Sequence, residues 1–362
     1  MKKLFFAVFL CLFLRPAFVS ALSFSINYDS SVLTQTNAAA ITNAFATAAQ
    51  AFSDTYTNAA TVHLTVYWGP VGPFASGIGL GRSQFVLINS SYSQITNALR
   101  THRASAADTN SVASLPASDP AGSAKWLVPY PEARVLGMVP VNDSTEDGEI
   151  GFATNVNYTF DPNNRSVPGN FDFIGVAQHE LSEVLGRDTA QLNPSVGFVP
   201  YDLFRFTNSG ARSLTIDSTT NAYFSVDNGV TALKFFYTNH LAGDIQDWKS
   251  SGVPDSFDAF VMSGHINPMS TVDITTLDVL GYNSPGLLEP PRLYGVETNG
   301  DFQVSFANSP GVTFTILATT NLALPEASWS VLGTATESPA GQFRFTDTTA
   351  TNGVRFYRVR SP

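Results

Sequence analysis

The sequence Phe171-Asp-Phe-Ile-Gly-Val-Ala-Gln-His-Glu-Leu-Ser-Glu-Val-Leu-Gly-Arg187 decides the fold of the region around it. Its apolar residues recur every three or four positions, as on an α-helix with one face in a hydrophobic core. The pattern therefore predicts a helix from 171 to 186. Asn170 is a suitable N-cap because its side chain can accept a hydrogen bond from the first turn, and Gly186 is typical of the sharp turn after a helix.

The polar face of this predicted helix carries a metal-binding pattern. His179 and Glu183 are four residues apart and share one face, and Glu180 directly follows the histidine. This is close to the H-E-x-x-H arrangement, in which two ligands hold a metal beside a general base. Here a glutamate replaces the second histidine; a carboxylate also binds zinc, but its charge weakens the metal as a Lewis acid. The alternative is a polar helix face on which Glu183 pairs with Arg187.

The order of the predicted elements before this helix indicates an α+β fold. Strands are predicted at 22–28 and 62–68, and amphipathic helices at 36–52 and 91–102. These elements follow one another without the regular alternation of a βαβ protein.

Several segments of the sequence resemble a bacterial family of exported, predicted zincin-like metalloproteases. The segments are 178–187, Pro200-Tyr-Asp-Leu-Phe-Arg205, Ala222-Tyr-Phe-Ser-Val-Asp227, Gly243-Asp-Ile-Gln-Asp-Trp248 and Leu277-Asp-Val-Leu-Gly-Tyr282. The resemblance covers roughly residues 22 to 282. It implies an α+β zincin-like (metzincin-like) domain, in which an active-site helix is followed by a loop with the third ligand, a Met-containing turn and a last helix.

Carried over residue by residue, the resemblance makes His179 and Glu183 ligands of the metal. Glu180 becomes the general base that acts on a metal-activated water. Met269, in Ile266-Asn-Pro-Met-Ser270, becomes the methionine of the turn below the metal. The cofactor that this site implies is Zn²⁺, and the glutamate in place of the second histidine leaves the identity of the metal open.

The third protein ligand is expected from the loop after the helix. Thr189 stands at the position where a metzincin has its third histidine or aspartate, so another residue must take this role. Asp202 is the predicted ligand because it lies on a segment long enough to return to His179. Asp188 is the alternative, and it would need a tight reversal of the chain to reach the metal.

The resemblance implies an exported zinc-dependent metallohydrolase, in particular a peptidase that acts on a protein or peptide substrate. The alternative is a catalytically inactive protein of the same zincin fold, which serves in binding or adhesion at the cell surface. Metal content separates these hypotheses, because an inactive descendant can lose its ligands whereas the enzyme cannot.

Acidic residues downstream of the helix indicate a possible structural Ca²⁺ site, because Ca²⁺ prefers carboxylate oxygens. They are Asp244, Asp247, Asp255, Asp258 and Asp273. The alternative is a solvated acidic loop, since their spacing is not that of a regular D-x-D-x-D-G calcium loop.

Four segments are predicted along the chain. Residues 1–21 have the basic start, apolar run and small-residue cleavage site of a secretory signal peptide. Residues 22–283 form the zincin-like domain, and the Pro-rich stretch 284–292 is a linker because it can continue neither a helix nor a strand. Residues 293–362 form a second domain. The mature protein is therefore expected to be secreted, periplasmic or located at the cell surface.

The second domain is predicted to be an all-β sandwich of fibronectin-III or immunoglobulin type. Alternating apolar runs predict strands at 302–306, 312–317, 329–332, 343–345 and 354–360. The domain has no histidine or cysteine and only scattered acids. It is therefore expected to be a spacer or adhesion module, with glycan binding as the alternative by analogy of fold.

The composition excludes several classes of protein. With 44% hydrophobic and 13% charged residues, the chain is globular rather than disordered. Its net charge of −10 makes nucleic acid and anionic membranes poor partners. No segment after the leader is long and apolar enough for membrane insertion. The one cysteine, Cys11, lies in the leader, so no disulfide is expected. The sequence predicts no particular oligomeric state.

Overall fold

The computed structural model of this protein describes most of the chain. It covers residues 21–71, 79–122, 124–141, 143–189, 196–215, 221–284, 293–298, 301–307, 313–322, 324, 328–338, 342–350 and 354–360. Residues 1–20 of the predicted signal peptide and residues 285–292 of the predicted linker lie outside these ranges. We refer to residues 21–284 as the N-terminal region and to residues 293–360 as the C-terminal region. Each contains its own cluster of buried apolar side chains.

The N-terminal region is built on a four-stranded mixed sheet. Its strands, in their order across the sheet, are β1 (Ser23–Tyr28), β2 (Thr61–Trp68), β6 (Gly148–Phe152) and β3 (Gly81–Phe85). The first three are parallel, and β3 pairs with β6 in the antiparallel direction. β3 is therefore an edge strand, and β1 and β2 lie where the sequence predicts strands.

Two long helices pack against this sheet and against each other. α2 (Ala38–Thr55) contacts β1, and α6 (Phe173–Val184) contacts β3 and β6. The ring of Phe152 in β6 joins both helices, since its centroid is 6.0 Å from that of Phe45 and 4.5 Å from that of Phe173. These are two of the predicted helices, and the predicted α+β class is confirmed. The assignment to the zincin fold stays a prediction.

Helix α6 begins later than the sequence predicts. Its N-cap is Asp172 rather than Asn170, because Phe171 and Asp172 form a short strand, β8, that pairs in the parallel direction with β7 (Tyr158–Thr159). Asp172 also accepts hydrogen bonds from the guanidinium of Arg165 at 2.6 and 2.8 Å. The strand pairing therefore fixes the point at which the chain enters α6.

The remaining elements of the N-terminal region are short and cover the core. Helices α1, α3, α4, α5 and α7 are Ser30–Leu33, Tyr92–Thr101, Ala106–Ala113, Tyr130–Val135 and Thr271–Asp278, and a 3-10 turn is formed by Pro200–Phe204. Strands β4, β5 and β9 to β12 are Leu87–Ser90, Trp126–Pro129, Arg205–Asn208, Ala211–Arg212, Tyr223–Phe224 and Lys234–Phe235. β4 pairs with β5, and the other four form a sheet of their own. Within the described ranges, no helix has the length and apolar character needed to cross a membrane.

The C-terminal region consists of two antiparallel sheets. Strands β13 to β19 are Tyr294–Thr298, Asp301–Ala307, Thr315–Thr319, Ser330–Thr334, Thr336–Glu337, Gln342–Asp347 and Phe356–Arg360. One sheet has the order β13-β14-β18-β17 and the other β16-β15-β19. Phe306, Phe314 and Phe343 lie together in the core of this region. Each predicted strand overlaps an observed one, while the fibronectin-III or immunoglobulin type stays a prediction.

Candidate metal centre

A cleft of about 930 Å³ opens at α6. Its walls include the edge strand β3 and residues from the segments 242–247 and 256–261. Helix α6 contributes His179, Glu180 and Glu183 to the lining. The cleft therefore brings together all three polar residues that the sequence singles out on this helix.

The imidazole of His179 is oriented by a backbone carbonyl. Its Nδ1 lies 2.8 Å from the carbonyl oxygen of Ser256. Because that oxygen can only accept a hydrogen bond, Nδ1 carries a proton and donates it. The other ring nitrogen, Nε2, faces two acids, at 3.5 Å from Glu183 Oε1 and 3.3 Å from Asp247 Oδ1. Ser256 is itself fixed, since its amide donates to the carbonyl of Pro268 at 2.9 Å.

His179, Glu183 and Asp247 form a group that could hold a metal ion. One ligand atom from each lies within 4.8 Å of the other two, and no other such group occurs in the described ranges. One imidazole nitrogen and two carboxylate oxygens are donors that Zn²⁺ accepts, and three protein ligands leave a position open for water or substrate. The residues therefore fit a metal ion, while its identity stays a prediction.

Neighbouring polar groups hold the two carboxylates in place. Glu183 accepts hydrogen bonds from Ser83 Oγ at 2.7 Å and from Gln246 Nε2 at 3.2 Å. Asp247 accepts one from Arg187 Nη1 at 2.5 Å. Partners of this kind orient the ligands of metal sites. Because Ser83 belongs to β3, its hydrogen bond also ties Glu183 to the wall of the cleft.

Arg187 places a permanent positive charge beside the group. Its side chain is fully buried, with the guanidinium carbon 4.5 Å from the centre of the Phe257 ring and Nη2 3.6 Å from Glu183 Oε1. Burial alone would raise the pKa of Glu183, but the hydrogen bond and charge of His179, with the charge of Arg187, lower this pKa to about 2. Glu183 is therefore ionised at neutral pH, as a metal ligand must be.

The same charges act on the histidine. Burial favours the neutral ring, but the negative charges of Asp247 and Glu183 outweigh burial and raise the pKa of His179 to about 10. In the metal-free site a proton on Nε2 therefore lies near both carboxylates. His179, Glu183 and Asp247 would have to give up this proton in order to hold a metal ion.

Glu180 lies beside the group without belonging to it. Its side chain lines the cleft and packs so closely on Gly81 of β3 that a Cβ at that position would collide with the carboxylate. Burial raises the pKa of Glu180 well above its usual range, and the charge of Glu183 raises it further. A carboxylate in this position can exchange a proton with a molecule bound in the cleft.

The third member of the group is Asp247, whereas the sequence predicts Asp202, with Asp188 as the alternative. Asp202 is buried, and its carboxylate accepts hydrogen bonds from Thr189 Oγ1 at 2.5 Å and from the amide of Val199 at 3.0 Å. The bond from Val199 closes the turn in which Asp202 lies, and the bond from Thr189 ties this turn to the segment after α6. Asp188 lines the cleft, but like Asp202 it is not part of the group.

Met269 lies in the turn before α7 and is partly buried against the main core. Asn267 in the same turn packs on α6, where its backbone oxygen is 2.7 Å from the position of a Cβ on Gly175. The turn is therefore in contact with the helix that carries His179. The role of Met269 as the residue below the metal stays a prediction.

The acids considered for Ca²⁺ mostly have other partners. Asp255 forms an ion pair with Lys234, and Asp273 accepts hydrogen bonds from Trp248 Nε1 at 2.7 Å and from the amide of Ser270 at 2.8 Å. Asp273 thereby helps to cap α7. In the part of the chain that the structure describes, these acids form no second metal-binding group.

Sequence reasoning missed Asp247 as a member of the group and Ser256 as the partner of His179. Both lie in loops far from α6 along the chain. Asp247 is within one of the segments that carry the family resemblance, Gly243 to Trp248, and this is the signal that could have found it. Ser256 acts through its backbone carbonyl, so its residue type gives no such signal.

Comparisons with protein-family models, with curated proteins and with solved structures found no match for this chain. The family resemblance of the motifs therefore stays a prediction.

Proposed function

We propose that this protein is a metal-dependent hydrolase that cleaves peptides. The observation that carries the proposal is a single cleft that holds both a metal-binding group and a separate carboxylate. His179, Glu183 and Asp247 form the group, and Glu180 lies next to it. Metal-assisted hydrolysis requires both parts, a set of ligands and a general base. Zn²⁺ is the proposed metal because imidazole and carboxylates are among its usual ligands.

The residues of the cleft have distinct parts in this proposal. A divalent metal would supply Lewis acidity toward a carbonyl group and make water more acidic. In its ionised form, Glu180 accepts a proton from the water as the water oxygen adds to the peptide carbonyl carbon, and passes that proton to the amine that leaves when the C–N bond breaks. Ser83, Gln246 and Arg187 hold Glu183 and Asp247 in place, so that the ligands need little rearrangement on metal binding.

An extended polypeptide is the substrate class that suits the shape of the cleft. β3 is an edge strand of the main sheet, and it lines the cleft from Gly81 to Phe85. An edge strand can pair with a peptide through backbone hydrogen bonds, so that alternate side chains of the peptide enter the cleft. A volume of about 930 Å³ accommodates more than one such side chain.

One observation favours the alternative, a catalytically inactive binding protein. Arg187 lies within 3.6 Å of Glu183 and 2.5 Å of Asp247. The two acids are therefore compensated in charge without a metal, and a buried network in which every charge is paired can persist as a structural element. The two hypotheses differ in whether the zinc-loaded protein hydrolyses peptides.

The test is hydrolysis of a peptide library by the zinc-loaded full chain, followed by mass spectrometry. We expect the wild type to cleave peptides and Glu180→Gln to be slower by about a hundredfold or more, since general-base catalysis contributes at least that factor. Glu180→Gln should still bind zinc. Glu337→Gln, in the C-terminal region, is the matched control and should match the wild type. If the zinc-loaded wild type cleaves no peptide, or if Glu180→Gln cleaves as fast, the proposal is wrong.

A second variant moves Glu180 without changing its chemistry. Gly81→Ala introduces a Cβ that collides with the carboxylate of Glu180, while Gly79→Ala is the control because nothing lies within 4 Å of a Cβ there. We expect Gly81→Ala to bind zinc normally and to lose about tenfold or more in kcat, because a displaced catalytic group is less effective. Equal activity of the two variants would contradict the position assigned to Glu180.

A further inference from the structure

The cleft contains more carboxylates than metal binding and proton transfer require. Besides the metal-binding group and Glu180, it is lined by Asp188, Asp244 and Asp258. Arg82 and His179 are the basic residues among the described residues that line it, against six acids. The interior of the cleft is therefore negatively charged, which favours a cationic occupant.

Asp258 is the most informative of these acids. It is 3% exposed, and its Oδ1 has no hydrogen-bond partner in the described part of the chain. Its backbone is well fixed, because residue 258 forms a β-bridge with Trp248 and the amide of the next residue, Ala259, donates to the carbonyl of Trp248 at 3.0 Å. A buried carboxylate oxygen without a donor is unfavourable. A donor that enters through the cleft would remove this cost.

Apolar groups lie beside these acids. Phe260 is 55% exposed although its ring is held by that of Tyr237, with 5.2 Å between the centroids in an edge-to-face arrangement. Val261 and Val176 also line the cleft. Lysine and arginine side chains combine a long apolar stem with a charged head that carries several donors. The stem of such a side chain matches the apolar wall, and its charged head matches the Asp258 oxygen that lacks a donor.

We propose that the cleft is a binding site for a lysine or arginine side chain of a polypeptide, with Asp258 Oδ1 as the acceptor for its charged head. Phe260 and Val261 contact the stem, and Asp244 and Asp188 add attraction over a longer distance. Combined with the proposed function, on which this step rests, the peptidase prefers peptides with a basic residue close to the cleaved bond. The binding site itself does not depend on hydrolysis.

The test is equilibrium binding of a matched pair of fluorescent peptides to zinc-loaded Glu180→Gln protein, measured by anisotropy. The peptides differ at one position, lysine in one and norleucine in the other, so that both side chains have the same four-carbon stem and only lysine carries the charged amino group. We expect the lysine peptide to bind about tenfold or more tightly, since a hydrogen bond to a charged group contributes that much. Adding Asp258→Asn should reduce the preference to about threefold or less. Adding Asp54→Asn, at the exposed end of α2, should leave it unchanged.

Several outcomes would overturn the inference. Equal binding of the two peptides, binding of neither, or a lysine preference that survives both Asp258→Asn and Asp244→Asn would each do so. If Asp258→Asn fails to fold, Asp244→Asn and the loss of the lysine preference at high salt test the same site, because both weaken attraction between charges. Failure of the proposed function gives a different pattern. If the protein prefers lysine peptides but cleaves none, the binding site is supported and the proposed hydrolase activity is wrong. If it cleaves peptides without regard to basic residues, the hydrolase activity is supported and the binding site is wrong.

Discussion

The N-terminal and C-terminal regions bury very different side chains. The interior of the N-terminal region holds many acids and three arginines, Arg134, Arg187 and Arg205. In the described residues of the C-terminal region, Thr319 and Asp347 are the only buried polar side chains. Burying a charge is unfavourable unless it is paired and hydrogen-bonded. The N-terminal region therefore carries groups that a core built for stability alone does not need.

Several of these buried charges lie together beside the cleft. Arg187 and Asp247 are buried in direct contact with each other and next to His179 and Glu183 on α6. The C-terminal region has a compact aromatic core instead, with Phe306 and Phe343 stacked at a centroid distance of 5.2 Å. The chemistry is therefore expected to lie in the N-terminal region. The role of the C-terminal region as a spacer or adhesion module stays a prediction.

Replacement of one core phenylalanine in each region should give the largest loss of stability among the variants that compare the two regions. Phe173 and Phe306 are at most 2% exposed. Phe173→Ala and Phe306→Ala should each cost about 3–5 kcal/mol in the free energy of unfolding of its own region, because each leaves a cavity. Since the cores are separate, calorimetry should show that each variant lowers one thermal transition and leaves the other. A single transition that both variants lower would mean that the division into two domains is wrong.

The two regions also differ in their ion pairs, which predicts the next largest effect. Arg134 and Asp147 are completely buried at 2.5 Å from each other, whereas Arg355, at 2.8 Å from Asp347, is 26% exposed. Arg134→Met should cost about 3 kcal/mol because it leaves Asp147 buried and unpaired. Arg355→Met should cost no more than about 1 kcal/mol, since water reaches the arginine and Asp347 keeps hydrogen bonds from Thr349 and Tyr357. Urea unfolding of the two variants measures the difference, and equal costs would contradict the contrast between the regions.

Glu132 predicts a smaller, pH-dependent effect that is confined to the N-terminal region. It is fully buried, both of its carboxylate oxygens lack a partner within the described ranges, and burial raises its pKa well above the usual range. The folded protein therefore keeps this proton at a pH where the unfolded chain releases it. The contribution of protonated Glu132 to the free energy of unfolding is complete at low pH. This contribution is lost as the pH rises above about 4.3, by about 1.4 kcal/mol per pH unit.

Glu132→Gln isolates this contribution, because glutamine is neutral at every pH. We expect the stability of the variant, relative to wild type, to increase as the pH rises above about 4.3, by at most about 1.4 kcal/mol per pH unit. Urea unfolding at a series of pH values above this point gives the difference directly. A constant difference between variant and wild type would show that Glu132 is ionised in the folded protein.

The parts of the structure that depend on local sequence could be predicted. Helix α6 was predictable because its apolar spacing and the glycine after it are local signals. The C-terminal strands were predictable from short-range alternation, although β13 and β17 were not identified. The third member of the metal-binding group was not predictable in this way. Asp202 was favoured because its segment is long enough to return to His179. Its carboxylate instead accepts hydrogen bonds from Thr189 and Val199, and Asp247, in a loop remote along the chain, completes the group.

We propose that His179, Glu183 and Asp247 together hold one metal ion. Calorimetric titration of the metal-free full chain with Zn²⁺ tests it most directly, with Asp247→Asn and Asp202→Asn as the decisive pair of variants. Each variant exchanges one buried carboxylate for an amide of the same shape. We expect the wild type and Asp202→Asn to bind one equivalent of zinc with similar affinity. Asp247→Asn should bind at least about tenfold more weakly, because a neutral amide replaces an ionised ligand. A wild type that binds no zinc, or loss of binding in Asp202→Asn with retention in Asp247→Asn, would contradict the claim.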